Sequence, residues 1–184
     1  MPVKLKKRLL TVEEYHRMGE VGILKEKGLE LIRGEILKMS PIGSKHAAVV
    51  EKLKETLTFS LKGKTLVRAQ NPITLGEMSE PEPDIAIVNF RSDYYMHQHP
   101  QAKDTLLVIE VAASSLDYDR EIKVPLYAAA SIPEFWIIDL NSEQVEVFHS
   151  PSQSSYLHTE IYESDGILRS QDGLIDLSLK EIFI

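Results

Sequence analysis

Apolar and polar positions change their period along the chain, and the changes mark out the elements. From His46 to Leu61, the apolar residues Ala47, Val50, Leu53, Leu57 and Leu61 recur at helical spacing. Glu51, Lys52, Lys54 and Glu55 occupy the other side, which predicts an amphipathic helix that Gly63 closes. Thr11 followed by Glu13 and Glu14 predicts an earlier helix, an N-cap with acids in its first turn, ending near Gly19 or Gly22. Between these helices, Leu29–Ile32 and Glu35–Met39 flank Arg33-Gly34, the pattern of a tight hairpin. Pro41 to Ser44 reads as a loop.

Short apolar runs then predict strands at Thr65–Ala69, Ile73–Leu75, Asp84–Asn89 and Leu106–Val111. Arg91 to Lys103 is a polar and aromatic excursion with room for a short helix. Ser114 to Ala130 is helical in pattern but contains Pro125, which removes an N–H and disfavours helical geometry at Val124. A short turn over Asp117–Lys123, followed by a helix with Pro125 in its first turn, satisfies both signals and leaves Lys123 at the junction. Phe135–Leu140 and Gln144–His149 form another hairpin, and Tyr156–Glu163 and Ile167–Leu179 predict further strands. Without repeat or linker, this order predicts one α+β domain over residues 1–184 with a mixed sheet.

Composition narrows the function class. The chain has 184 residues, 43% hydrophobic and 27% charged, the balance of a soluble globular domain. It has no cysteine, which excludes disulfides and thiolate metal sites. No apolar stretch approaches the roughly 20 residues of a membrane span. The basic start, Met1 to Leu10, lacks a signal core, so a cytoplasmic location is expected by elimination, with no membrane partner. A net charge of −7 argues against a protein that coats nucleic acid, though not against an enzyme meeting it along a local strip. Lys4, Lys6, Lys7, Arg8, Lys52, Lys54, Lys62, Lys64 and Arg68 could supply such a strip or simply a solvated surface.

The candidate chemistry is a spaced trio, Asp84, Glu110 and Lys123. Asp84 opens one apolar run and Glu110 nearly ends another. Alternation places Leu106, Val108 and Glu110 on one face of their strand and Leu107, Ile109 and Val111 on the other; both faces are apolar, so this strand is central. Carboxylates at the ends of neighbouring buried strands are costly unless a cation sits between them. A divalent ion with a lysine beside it meets that need and is equipment for phosphodiester hydrolysis. Salt bridges at strand ends are the alternative. Glu82 lies on the same side as Asp84 if the chain is already extended there.

The wider pattern of blocks carries a resemblance. Gln70-Asn71-Pro72, Ser79 to Asp84, Ile109-Glu110-Val111, Asp119 to Lys123, Tyr127 and Ile132 to Asp139 occur in the order of the Uma2 family. Leu29 to Glu35 and His46 match its N-terminal pattern. This is a group of proposed endonucleases, formerly a domain of unknown function, abundant in cyanobacteria and similar to restriction-endonuclease-like PD-(D/E)xK nucleases. The resemblance implies a mixed central sheet flanked by helices, with extra antiparallel strands. It implies a metal-dependent endonuclease acting on DNA, with Mg²⁺ or Mn²⁺ held by Asp84, Glu110 and the Val111 carbonyl. The superfamily's lysine two positions after the glutamate is here Ala112, so its role falls to Lys123 in the following helix. Glu35, ranked above Glu30, is expected to add a carboxylate, and Gln70 to contact substrate or the attacking water. The alternative is a catalytically inactive module of the same fold, binding nucleic acid or protein.

Other signals carry less. His97-x-His99 lies in a loop with no matching third ligand, and reads as polar surface. His46 begins a helix, where an imidazole can cap or meet a phosphate. Ser114-Ser115 lacks a glycine-flanked elbow and suits helix capping. Phe135 and Trp136 suit a core strand. The apolar segment Leu174–Ile184 makes a homodimer paired through terminal strands a reasonable expectation.

Overall fold

The computed structural model describes residues 6–183, so the expectations on Lys4 and Ile184 fall outside it. Thr11 caps the first helix, α1 (Val12–Glu20), through a reciprocal box with Glu14: its hydroxyl accepts from the Glu14 N–H at 3.2 Å, and the Glu14 carboxylate accepts from the Thr11 N–H at 3.0 Å. A hairpin follows, β1 (Leu29–Ile32) against β2 (Glu35–Lys38), with Ile32 opposite Glu35. Its two turn residues both have positive φ, Arg33 at 50° and Gly34 at 79°, the geometry that matches strand twist in a two-residue connection.

The main sheet has six strands in the order β3-β4-β5-β6-β7-β8: Thr65–Ala69, Ile85–Asn89, Thr105–Ala112, Glu134–Asp139, Gln144–Ser152 and Ser155–Glu163. Only β5 and β6 run parallel; the other neighbours are antiparallel. A parallel pair needs a crossover, and the segment from α3 (Leu116–Tyr118) to α4 (Val124–Ala129) supplies it. This is the mixed α+β architecture that the pattern predicts.

Each face of the sheet has its own core. The long helix α2 (Ser44–Ser60) lays Val49, Val50, Leu53 and Leu57 on Ile85, Ile87, Leu107, Ile109 and Val111. The terminal hairpin, β9 (Ile167–Arg169) with β10 (Asp176–Ser178), extends that layer through Leu168 and Leu177. On the opposite face, Leu126, Tyr127 and Ala128 of α4 cover Ala86, Val88, Val108, Phe135 and Ile137. Burying each such aliphatic side chain contributes about 1.5–3 kcal/mol before entropy is counted. Phe135 and Trp136 are both fully buried core residues.

Three local expectations change. Ile73–Leu75 is not a strand of the sheet; Ile73 and Leu75 donate to Pro81 and Ser79, and Thr74 makes an isolated parallel bridge to Gln101 through Pro100 and Ala102, while Pro72, Pro81 and Pro83 deprive the region of ladder donors. Leu106 lies with Leu107 and Ile109 rather than with Val108, because the β4–β5 register slips between Ile87 and Val88 and one extra β5 residue resets the alternation. The turn predicted before Pro125 is a π-helical segment, Asp119–Lys123, running directly into α4. Proline withholds the N–H that the carbonyl four residues back needs, and the wider winding takes up the mismatch. Among the described residues, no helix is long and apolar enough to cross a membrane.

Gly34 locks the hairpin against its surroundings: its N–H donates to Met78 at 2.7 Å and its carbonyl accepts from Leu10 at 2.9 Å. A Cβ there would meet Leu9 Cβ at 2.6 Å and the Leu10 carbonyl at 3.0 Å, at a φ of +79°. Gly34→Ala is expected to destabilise the protein by about 1–3 kcal/mol, the usual cost of such strain. A urea midpoint that does not fall would show that the turn relaxes freely.

Candidate active site

Asp84 and Glu110 hold each other through the backbone. The Asp84 Oδ2 accepts the Val111 N–H at 2.9 Å, and the Glu110 Oε2 accepts the Asp84 N–H at 3.2 Å. Two strand ends are thereby clasped where the β4–β5 ladder stops at Ile85 and Ile109. In extended backbone a residue's N–H and C=O point to the same edge, so the Val111 carbonyl faces the Asp84 side. His46, in the first turn of α2, reaches the same Oδ2 through Nε2 at 2.9 Å, and the Gln70 amide donates weakly to Oδ1 at 3.4 Å.

Lys123 completes the group from the crossover. Its ammonium donates to Glu30 Oε2 at 2.7 Å and to Glu110 Oε1 at 3.3 Å. The Tyr127 hydroxyl donates to Glu110 Oε1 at 2.8 Å, and the Tyr118 hydroxyl to Glu30 Oε1 at 3.2 Å. Asp119, buried one helical turn before Lys123, accepts from Ser115 Oγ at 2.7 Å. The π-helical winding brings Asp119 and Lys123 inward together; both are 4% exposed.

Most of the predicted residues meet. Asp84, Glu110, Lys123, Gln70 and Val111 adjoin one another. Glu35 does not: it is exposed and pairs with Lys7 at 3.0 Å. The preference for Glu35 over Glu30 is therefore corrected. β1 turns its Glu30 side chain inward at 3% exposure, whereas Glu35, across the turn on β2, faces solvent. His46, Asp119, Tyr118 and Tyr127 join the site although the sequence pattern does not assign them to it. Asp119, Lys123 and Tyr127 recur at every fourth position, and that spacing is the signal that could have found two of them, since such residues share a helix face.

The electrostatics are strongly biased. Burial pushes the Glu110 carboxyl up, to about 8, against the pull of Lys123 and with help from Asp84. Burial likewise raises Asp119 to about 6, opposed by its bond from Ser115 and by Lys123. Burial by itself would lower the Lys123 ammonium, but Glu110 and Glu30 outweigh it and raise its pKa. The hydrogen bond to Asp84 raises His46 in spite of burial. Glu30, Asp84, Glu110 and Asp119 are thus set beside one lysine and one imidazole, more carboxyl groups than cationic partners. Magnesium characteristically takes one or two carboxylates plus carbonyl, water and phosphate oxygens. Asp84, Glu110 and the Val111 carbonyl are oxygen ligands of the type that a hard divalent cation takes.

A family model described as "Uma2: Putative restriction endonuclease" matches residues 12–180. A crystal structure described as "a putative nuclease belonging to DUF820" from Anabaena variabilis superposes with a TM-score of 0.72 at 19% identity, covering 95% of this chain and 97% of that one. At that identity the likeness speaks for the fold. No curated protein matches.

The raised carboxyls set a pH dependence. A group whose folded pKa lies above its unfolded one stabilises below the unfolded value and loses that contribution as pH rises through the folded value. For Glu110 the window runs from its ordinary 4.5 to about 8, and Asp119 acts in the same direction from 3.8 to about 6. Chelator-treated protein is expected to lose stability across that range, and Glu110→Gln to flatten the slope. Thermal melts across the window decide it; equal slopes in both proteins would contradict the assignment.

Proposed function

Because the chain belongs to the Uma2 family, we propose that it is a divalent-metal-dependent endonuclease that hydrolyses phosphodiester bonds of DNA. The observation that carries the reading is the reciprocal clasp of Asp84 and Glu110 with a buried lysine bonded to one of them. Asp84, Glu110 and the Val111 carbonyl would hold Mg²⁺ or Mn²⁺. Such an ion supplies charge to polarise a phosphate oxygen and makes a bound water more acidic.

The chain's own groups do the positioning. Glu30 and Tyr127 fix the Lys123–Glu110 pair from opposite sides. The Lys123 ammonium has three protons and spends two on Glu30 and Glu110, which leaves one for a water or a developing phosphate charge. His46 holds the Asp84 carboxylate from the first turn of α2. Gln70 is exposed at the rim, its φ of 50° turning the chain out of β3 beside Asp84.

A surface for the polynucleotide adjoins this rim. Lys54, Lys62 and Arg68 line a groove with Phe90 and Tyr94, and Ala69 and Asn71, the neighbours of Gln70, line it too. Phe90 and Tyr94 are exposed with ring centroids 6.2 Å apart, and the buried Arg68 Nε has no hydrogen-bond partner among the described residues. Cations along a groove follow phosphates, and exposed rings stack bases of any sequence. The basic strip is local on an acidic protein, which suits a transient cleavage encounter.

Asp84→Asn and Glu110→Gln are each expected to reduce manganese-supported plasmid cleavage by about 10²-fold or more, with the far-ultraviolet dichroism unchanged. Glu30→Gln is expected to impair cleavage and Glu35→Gln to leave it at the parental rate; the reverse order would refute the site. Full activity in the Asp84 variant would defeat the nuclease reading. Lys62→Ala and Arg68→Ala are expected to weaken DNA binding, and each to make its salt dependence shallower by about 0.9 for every phosphate that is no longer neutralised. A slope that stays the same would place the DNA elsewhere.

A further inference from the structure

His99, read from sequence as polar surface without a third ligand, acquires two partners in the fold. His16 from α1, Glu80 from the segment before β4, and His99 from the loop before β5 place one ligand atom each within 4.8 Å of one another. They are the one such group of three among the described residues. They share no residue with the Asp84–Glu110 cluster.

The group has the build of a held site. Glu80 is 4% exposed, and its backbone is fixed by bonds to Leu31 in both directions, at 2.7 and 3.3 Å. Its two carboxylate oxygens are separately occupied: Oε1 lies 2.5 Å from His16 Nε2, and Oε2 accepts the Thr74 hydroxyl at 3.0 Å. A hydrogen bond to the outer oxygen of a ligating carboxylate is the usual support for a metal ligand. Thr74 is tied in turn to the loop carrying His99, through its N–H to the Pro100 carbonyl at 2.8 Å. The His16 and His99 rings meet edge to face at 6.2 Å.

We propose that His16, Glu80 and His99 form a second metal site, for a zinc-class divalent cation, that staples α1 and the loop before β5 to the segment leading into β4. Two imidazoles and one carboxylate are a recurring donor set for zinc, with the fourth position left to water. Tetrahedral zinc places such ligand atoms about 3.3 Å apart. The existing spread therefore needs closing by at most about 1.5 Å at its widest and an opening of the His16–Glu80 pair by about 0.8 Å. The half-exposed His16 leaves a route of entry. Hard magnesium would not select two imidazoles, so the two sites divide cations by ligand type. The role is structural: α1 has no buried residue, so the ion would supply the anchoring that apolar packing does not.

The test is titration of the metal-freed full chain with Zn²⁺ by calorimetry, with Co²⁺ absorption as a reporter of imidazole ligation. Wild type and Asp84→Asn are expected to bind one Zn²⁺ equally, each with a raised melting temperature. His99→Gln and His16→Gln are expected to bind that ion at least about tenfold more weakly, since loss of even an outer-shell partner costs about 10–100-fold. Both variants are checked for parental dichroism, and His99→Ala substitutes if one fails to fold. Binding that survives both histidine substitutions, binding lost in Asp84→Asn, or no binding in wild type would each overturn the proposal. None of these outcomes depends on nuclease activity.

Discussion

One buried ammonium holds the centre of this protein together. Lys123 is 4% exposed and lies between Glu30 and Glu110, which come from a separate hairpin and from the central strand. A lone charge in that position would be neutralised or expelled, and so would either carboxylate. Each is tolerated because the others are present. Removing one partner of such a group leaves an uncompensated buried charge, at a cost of about 3–5 kcal/mol. The crossover, the hairpin and the sheet are therefore bound to one another by an electrostatic condition as well as by packing.

That condition explains why the local irregularities lie where they do. The extra residue in β5 changes which side chains share a face at its entry, while the end of the strand delivers Glu110 to the α4 side. The π-helical segment rotates Asp119 and Lys123 inward just before Pro125. The ladder between β4 and β5 stops where the acids begin, and side-chain carboxylates take over the backbone donors. These departures give the acids and Lys123 hydrogen-bond partners at the sheet's end, with the apolar strands buried behind them.

Legibility in the sequence follows the range of the interactions. The hairpin at Arg33-Gly34, the long amphipathic helix, the central strands and the trio of Asp84, Glu110 and Lys123 can all be read from period, turn chemistry and the position of charges beside apolar runs. Ile73–Leu75 cannot, because a short apolar run says nothing about whether a neighbour will offer it a ladder. Simple alternation puts Leu106 on the wrong face because a bulge is set by the partner strand's register. Glu30 and Glu35 flank the same turn, and a short hairpin does not announce which of its acids will meet a lysine about ninety residues away. The pair His97-x-His99 lacks a third ligand in sequence because the companions of His99, His16 and Glu80, come from distant segments.

The chain by itself determined the element order, the central placement of β5, and the presence of two acids at buried strand ends with a lysine downstream. Those follow from hydrophobic period and from the cost of burying charge, which act within a few residues or on any compact state. Only the tertiary structure decided which carboxylate joins Lys123, which face Leu106 takes, and that His16, Glu80 and His99 converge. These are matters of register and docking between segments remote in sequence, where a shift of one residue exchanges an exposed side chain for a buried one.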